Sequence, residues 1–414
     1  MKRFLDTVCC QRESFARFPG WIQPLITFIC GKPIRGERPW VQIHPVGAVA
    51  IDLLKLVVGV GLCFACVKAG GFWYLAVPLC WILTVNATRS LTSDAHYAGH
   101  GCVTGRPTID WLLGDVLSTL VLSANMTAYA RGHNSRHHGR EGIGTLEDPD
   151  IELLYLMGFR MGRSVGWYRF RLWLALISPR YHFLYAWGRV QSNFISAPFI
   201  RAALAWGVHG TALALVWYGG ALSEWVIAWV IPVIPLVAVS AALQFPSEHL
   251  WLTPRKPKES AGAYLRRISH GRFFLVPAPR ADRSAFAKIG AWSLWSLAML
   301  VPLLERFFVC ASVLPAHDYH HRKPRLANWP MEPYLRQEEI DAGAAEFHEF
   351  YGLSRAFAAQ FVIWSQLHPD LIKERFTFLG LIEKALGCRF LLAPAQPRPE
   401  YDQERRNCLA DGAR

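Results

Sequence analysis

Residues 45–67, PVGAVAIDLLKLVVGVGLCFACV, are long and apolar enough to cross a bilayer, which takes about 20 residues of α-helix. A second apolar run, GFWYLAVPLCWILTVN at residues 71–86, begins after only three intervening residues and extends towards Leu91. So short a connection predicts a hairpin of two membrane helices. Asp52 and Lys55 lie about one helical turn apart in the first of them, and we expect these two residues to pair with each other.

A second membrane hairpin is predicted at residues 202–222 and 225–243, again with a very short connection. Residues 111–129 and 289–313 are also apolar, but polar or charged residues interrupt both, and we expect re-entrant or interfacial helices there. Residues 167–187 are amphipathic and basic, as in a helix that lies on a membrane surface. The whole pattern predicts an all-α integral membrane protein with about four transmembrane helices in two hairpins.

The basic residues predict the orientation of the chain. Its 414 residues include 44 Lys and Arg and 31 Asp and Glu, which gives a formal net charge of +13. The N-terminal arm, the middle segment and the C-terminal third are basic, whereas the hairpin tips have almost no charge. Because basic loops stay in the cytoplasm, both termini and the middle segment are predicted to be cytoplasmic. No nucleic-acid-binding motif accompanies the charge, so a nucleic-acid partner is not expected.

Histidines are concentrated in three clusters with the patterns HxxxH, HxxxHH and HxxHH. The clusters are His96 and His100; His133, His137 and His138; and His317, His320 and His321. Residues three or four apart share a helix face, so each cluster can direct its imidazoles to one point. A single HxxxH is as often part of a polar helix surface as part of a metal site. Three such clusters in an apolar chain favour a metal site. One metal ion usually binds about four to six donor atoms, and eight imidazole rings are more than that. Two metal ions are therefore predicted.

The predicted topology brings all the clusters to one face of the membrane. The first cluster follows the second span, the second lies in the middle cytoplasmic segment, and the third lies in the C-terminal part. His249 follows the fourth span directly, on the same side. A span between any two clusters would have excluded a shared site.

The order and spacing of these histidines resemble the integral-membrane fatty acid desaturase and hydroxylase superfamily, whose members carry three histidine boxes on the cytosolic side of about four spans. The resemblance implies a cytosolic N-terminal arm at residues 1–40 and a membrane catalytic domain at 41–325 with a cytosolic helical cap that carries the boxes. Residues 326–414 lie beyond the resemblance and are predicted to form a cytosolic extension, helical at 340–367 and partly disordered at its end. His348 and His368 are expected at its surface.

The resemblance also implies the chemistry. The eight box histidines would bind two iron ions that use O₂ to oxidise an unactivated C–H bond of a lipid, and His249 matches a ninth ligand that many members place after the last span. Loss of two hydrogens gives a fatty acid desaturase, whereas transfer of oxygen gives a hydroxylase or ketolase of a lipid, alkane or carotenoid. The boxes do not separate these outcomes, although their overall pattern favours the desaturase.

Carboxylates near the boxes are candidate partners for the second ring nitrogen of a ligating histidine. These are Asp94, Glu147, Asp148, Asp150 and Asp318. For each of them an ordinary surface carboxylate is an equally good interpretation.

A separate protein is expected to supply electrons. The sequence has no HPGG haem motif, no cysteine spacing of an iron–sulfur cluster and no GxGxxG after a predicted strand. The donor is expected to be of the ferredoxin, rubredoxin or cytochrome b5 type. Basic residues that suit an acidic donor, or equally a lipid head group, are Arg255, Lys256, Lys258, Arg266, Arg267 and Arg272.

Two other classes of metalloprotein remain as alternatives. A metal transporter binds its ion near the middle of the bilayer, whereas these histidines are predicted at the cytoplasmic edge. A zinc-dependent membrane hydrolase needs only about three protein ligands and an open position. The number and position of the histidines therefore favour the diiron enzyme.

Overall fold

The computed structural model describes residues 11–371, except residues 128, 130–132, 134–136, 139–141, 147, 149, 281, 283 and 344–346. Nearly all regular structure in this part of the chain is helical, which confirms the predicted all-α fold. Two short strands, β1 (Gly271–Phe273) and β2 (Glu349–Tyr351), pair in parallel. The predicted disorder at the end of the chain lies outside the described residues.

The helices are named here in chain order. They are α1 (Gln23–Cys30), α2 (Pro45–Ala69), α3 (Val77–Gly99), α4 (Pro107–Leu120), α5 (Ile151–Leu156), α6 (Val165–Ile177), α7 (Pro179–Val190), α8 (Phe199–Tyr218), α9 (Leu222–Glu248), α10 (Ala261–Ile268), α11 (Ala285–Val309), α12 (His317–Arg322), α13 (Glu332–Asp341) and α14 (Leu353–Ser365). Short 3₁₀ turns lie at Gln11–Phe15, Gly20–Ile22, Gly71–Ala76, Leu314–Ala316 and Trp329–Met331.

Five helical stretches of the described chain are long and apolar enough to cross a membrane. They are α2, the continuous stretch Gly71–Gly99 that ends with α3, and α8, α9 and α11. The first four include the predicted spans to within a few residues. The fifth corrects the expectation that charge and proline would interrupt the helix after residue 289. Pro302 lies inside α11, and the helix adjusts to π geometry at Glu305–Val309 rather than ending there.

Helices α2 and α3 form the predicted hairpin and lie unusually close together. A Cβ atom on Gly59 would lie 2.7 Å from Thr84 Oγ1, so only glycine permits this approach. The predicted pair of Asp52 and Lys55 is present, and the Lys55 ammonium also donates to Asn86 Oδ1 at 3.0 Å. The pair therefore joins the two helices inside the bundle.

The other apolar and amphipathic stretches differ from the predicted lengths. Helix α4 has 14 residues, too few to span a bilayer, in agreement with the prediction for residues 111–129. The stretch at 167–187 is two helices, α6 and α7, and not one. The break occurs because Pro179 lacks an N–H group, and the Ser178 side chain accepts a hydrogen bond from Tyr181 N–H to begin α7.

The N-terminal arm and the C-terminal extension meet beside the third histidine box. Lys32 pairs with Glu349 of β2, and Arg336 of α13 donates both to Glu349 at 2.8 Å and to Asp318 at 2.9 Å. The predicted helix at 340–367 is wrong in its first half, where β2 lies. Gly352 follows β2 with a φ of 82°, a conformation that favours glycine, and only then does α14 begin.

Other expectations for the two ends of the chain have separate outcomes. His368 is exposed as expected, whereas His348 is half-buried. The domain boundaries at residues 40 and 325 stay predictions.

Candidate metal centre

Four parts of the chain carry the clustered histidines and His249. His96 lies in the last turn of α3, and His100 is the residue that ends that helix. The short helix α12 places His317, His320 and His321 on adjacent turns. His249 leaves α9 with extended backbone and forms a β-bridge with Ser269. The described residues of the second box, His133, His137 and His138, lie between α4 and α5.

All nine predicted histidines come together in the structure, in two groups. In each group the candidate ligand atoms lie within 4.8 Å of one another. The first group is His96, His100, His133, His138 and His320, and the second is His137, His249, His317 and His321. Each group has enough nitrogen donors to hold a metal ion. The assignment of each ring as a ligand stays a prediction.

The ring nitrogens converge as ligand atoms do. His96 Nε2 lies 2.7 Å from His320 Nε2, and His320 Nε2 lies 3.1 Å from His138 Nε2. In the second group, His317 Nε2 lies 3.1 Å from His321 Nε2. Several imidazole nitrogens thus point at a common centre.

Buried ring nitrogens without a partner in the described chain test whether a metal fits this site. His100 Nε2, His133 Nε2 and both ring nitrogens of His249 are buried and have no hydrogen-bond partner. Buried polar atoms are nearly always satisfied in folded proteins. A metal ion in each group would satisfy these nitrogens, so the donor set fits two ions that accept nitrogen ligands.

The electrostatics of the site keep most of the rings neutral. Burial, reinforced by neighbouring histidines or arginines, holds the pKa of His249, His317 and His321 well below its usual range. The same causes lower the pKa of His138 to about 2, and burial and Arg325 lower that of His100 to about 4. A neutral imidazole offers the lone pair that a metal needs.

His137 is the exception because it is hydrogen-bonded to Asp148. Burial opposes its protonation too, but the charge and hydrogen bond of Asp148 outweigh burial and raise the pKa of His137 to about 9. His137 Nδ1 lies 2.8 Å from Asp148 Oδ2, whereas Asp150 Oδ2 lies at 3.6 Å. When His137 is neutral, as a metal ligand must be, Asp148 keeps the proton on Nδ1 and leaves the lone pair on Nε2.

Two of the remaining candidate carboxylates, Asp94 and Asp318, have other described partners. Asp94 is buried beside Asp52 and Lys55, and Asp318 pairs with Arg336. Glu147 lies outside the described residues. Among the five candidates, the structure places only Asp148 within hydrogen-bond distance of a described histidine.

Three residues that the sequence did not indicate as partners lie beside the rings. Tyr129 Oη lies 2.5 Å from His96 Nδ1, the nitrogen opposite the one that faces His320. Glu248 Oε1 lies 3.2 Å from His317 Nε2, the nitrogen that also faces His321. Glu332 is fully buried, accepts a hydrogen bond from the Tyr97 hydroxyl at 2.8 Å and lies 4.0 Å from His320 Nδ1. Burial raises the pKa of Glu332 well above its usual range. Glu248 directly precedes His249 in the sequence. Of these three residues, only Glu248 had a sequence position that indicated a place at the site.

The first group is accessible from outside. A cavity of about 600 Å³ is lined by His100, Trp111, Arg325 and the chain at 101–105. A smaller cavity of about 180 Å³ reaches both His100 and His138. Small molecules can therefore approach the first group, whereas all four rings of the second group are buried.

The comparison with known families agrees with this geometry. Residues 71–276 match the family described as fatty acid desaturase. The matched region begins before α3 and includes the first box, the second box and His249, and the third box follows it. No curated protein matches the chain. The match and the all-α fold with apolar, membrane-length helices are consistent with the integral-membrane fatty acid desaturase and hydroxylase superfamily.

Proposed function

We propose that this protein is a membrane-bound diiron, O₂-dependent desaturase that introduces a C=C bond into a fatty acyl chain. The observation that carries the proposal is the division of nine histidines into groups of five and four around two adjacent centres. The first group would hold one iron and the second group the other. Two bound irons would supply the activation of O₂ and the oxidation of the C–H bonds.

The chain's own residues prepare the site for the metals and protect it. Asp148 orients His137, and Tyr129 orients His96. Trp251 is fully buried, and the centroid of its ring lies 5.1 Å from that of His249, so it excludes water from the second group. The cavities beside His100 leave the first group open to O₂.

Electron balance calls for a separate donor. Reduction of O₂ to two water molecules takes four electrons, and desaturation supplies two of them. Of the basic residues predicted to dock the donor, Arg272 is buried and donates to Ser247 Oγ at 3.1 Å, which corrects that prediction. Arg267 is paired with Glu259. Arg255, Lys256, Lys258 and Arg266 are exposed and suit an acidic protein of the ferredoxin, rubredoxin or cytochrome b5 type.

The path of the chain into α11 supports an orientation with the histidines and both termini in the cytoplasm. Residues 274–278 lie outside helices and strands and contact α11 and the N-terminal turn: Val276 O accepts from Trp295 Nε1, and Ala278 N–H donates to Ser14 Oγ. Irregular backbone is not tolerated where it is exposed to lipid. We propose that this segment and α11 lie at the interface, although α11 is long enough to cross, and that α2, α3, α8 and α9 are the crossing helices.

Trypsin treatment of membrane vesicles tests this orientation. The exposed basic loop at residues 255–258 is expected to be cleaved from the cytoplasmic side and protected from the other side. Cleavage from the non-cytoplasmic side would contradict the orientation.

Metal analysis and lipid mass spectrometry test the proposed activity. Purified protein is expected to contain two irons per chain and, with a working electron donor, to give products lighter by two hydrogens. His137→Ala and His320→Ala are expected to abolish turnover while the protein remains in the membrane. Products heavier by one oxygen would establish a hydroxylase instead. One zinc and no iron would overturn the diiron proposal in favour of a zinc-dependent membrane hydrolase or a metal transporter.

A further inference from the structure

An arginine lies inside the helical bundle on the same face of α3 as the metal centre. Arg89 precedes His96 by seven residues, which is about two helical turns, or roughly 10 Å along the axis. Only 7% of its surface is exposed. An ionisable side chain within a membrane helix is costly and usually has a function.

Arg89 has no acidic partner in the described chain. Its Nε is buried without a hydrogen-bond partner, and its guanidinium forms no ion pair with a described residue. The groups that act on it electrostatically include Tyr185, Glu248 and the like-charged Arg189. A guanidinium has five N–H donors and accepts no hydrogen bond, and no acceptor among the described residues satisfies its buried Nε.

Glu248, a carboxylate that acts electrostatically on Arg89, is already engaged by other groups. Glu248 Oε1 lies 3.2 Å from His317 Nε2, accepts from Gln244 Nε2 at 3.0 Å and lies 3.9 Å from Arg272 Nη2. Arg189 has only neutral acceptors among the described residues, such as the carbonyl of Leu122 at 2.9 Å. Glu248 is therefore engaged by His317, Gln244 and Arg272, and Arg189 has no carboxylate among its described hydrogen-bond partners.

We propose that Arg89 binds the carboxylate of a free fatty acid, and that the hydrocarbon chain of this substrate runs from Arg89 past the histidines. This proposal rests on the proposed function, since it names the substrate of that site. A carboxylate accepts two parallel hydrogen bonds from a guanidinium and neutralises its charge. The carbonyl of an ester would accept hydrogen bonds but leave the positive charge buried, and an alcohol would do the same.

The fixed distance from Arg89 to the metal centre has a consequence for regiochemistry. The oxidised carbon is set by its distance from the carboxyl group, because Arg89 and His96 lie on one rigid helix. Fatty acids of different length are expected to react at the same position counted from the carboxyl end. A position that stays constant when counted from the methyl end would overturn the proposal.

Ligand-induced thermal stabilisation of the purified, full-length protein tests the proposal without any turnover. The probes are palmitate, hexadecanol and methyl palmitate. The wild-type protein is expected to bind palmitate about 10- to 100-fold more tightly than the two neutral lipids, because a hydrogen bond to a charged group is lost with either of them. Equal binding of all three would overturn the proposal, whereas a failure to oxidise any lipid with iron and a donor present would count against the proposed function alone.

Two variants and a control assign the preference to Arg89. Arg89→Gln is expected to lose the preference for palmitate, and Arg89→Lys to retain part of it, because lysine keeps the charge but not the bidentate geometry. Without ligand, Arg89→Gln is expected to be at least as stable as the wild type, since it removes an unpaired buried charge. Arg266→Gln removes an exposed guanidinium and is expected to keep the full preference. An unchanged preference in Arg89→Gln would refute the assignment. If Arg89→Gln does not fold, Arg89→Lys tests the assignment instead. A preference for palmitate that is undiminished in Arg89→Lys would refute the assignment.

Discussion

His137 Nδ1 lies 2.8 Å from Asp148 Oδ2, and both side chains are buried. This contact fixes the second nitrogen, Nε2, as the one that faces the other histidines. We expect Asp148→Asn to lower the metal affinity of the second histidine group about 10- to 100-fold, because the asparagine no longer favours one tautomer of the ring. Metal content after dialysis against a graded series of chelator concentrations measures this change.

Asp150→Asn is the matched control for Asp148→Asn. Asp150 Oδ2 lies 3.6 Å from the same nitrogen, beyond hydrogen-bond distance, so its loss is expected to change the metal affinity less. Equal losses in the two variants would show that the negative charge near His137 matters and not the hydrogen bond.

The two histidine groups predict separable metal ions. His249 belongs to the second group and His133 to the first. We expect His249→Ala to retain the first ion and lose or weaken the second, and His133→Ala to do the reverse. Metal analysis together with iron spectroscopy of each variant distinguishes a single remaining ion from a pair. Loss of both ions from both variants would mean that the groups form one cooperative site.

Local sequence patterns were sufficient to predict the hairpin of α2 and α3 and the meeting of the histidines. The apolar run after Pro45 and the spacing of His317, His320 and His321 are both properties of single helices. Pro179 was an available signal for the break between α6 and α7. In α11, Pro302 gave a misleading signal, because the helix absorbs it by a local π adjustment.

Contacts between distant parts of the chain could not be predicted in the same way. Glu332 reaches Tyr97 across 235 positions, and Arg336 joins Asp318 to Glu349. No spacing rule connects such residues, because tertiary packing decides which side chains meet. The missing partner of Arg89 is likewise visible only once its surroundings are known.

Gln360 connects the C-terminal extension to the metal centre. Its side chain accepts a hydrogen bond from Trp251 N–H at 2.6 Å and donates one to Trp251 O at 3.0 Å. Gln360→Leu keeps the volume but leaves both buried backbone groups unsatisfied, so we expect the free energy of unfolding to fall by about 2–4 kcal/mol. Because Trp251 follows His249 by two residues, metal affinity of the second group should fall too. Thermal unfolding and metal analysis measure the two effects.

Gln366→Leu provides a control for Gln360→Leu in the same part of the chain. Gln366 is exposed just after α14, so its replacement is expected to change the free energy of unfolding by no more than about 0.5 kcal/mol. A Gln360→Leu protein as stable as this control would contradict the role of the contact.

The ion pairs of Glu349 should make the free energy of unfolding depend on pH. Burial favours its neutral form, but Arg336 and Lys32 outweigh burial and hold the pKa of Glu349 below its usual value of 4.5. The unfolded chain therefore binds a proton more readily than the folded protein. The stability that Glu349 contributes is fully present above about pH 4.5 and is lost as the pH falls through the lower, folded-state pKa. Glu349→Gln is expected to lower the free energy of unfolding at neutral pH by about 3 kcal/mol, since it breaks a buried ion pair, and to flatten the dependence at acid pH. Denaturant titrations at a series of pH values measure both changes.

Glu339→Gln is the control for Glu349→Gln. Glu339 pairs with the half-exposed Lys323, so its replacement should change the free energy of unfolding by about 0.5 kcal/mol or less. An acid dependence of Glu349→Gln as steep as that of the wild type would assign the effect to another carboxylate.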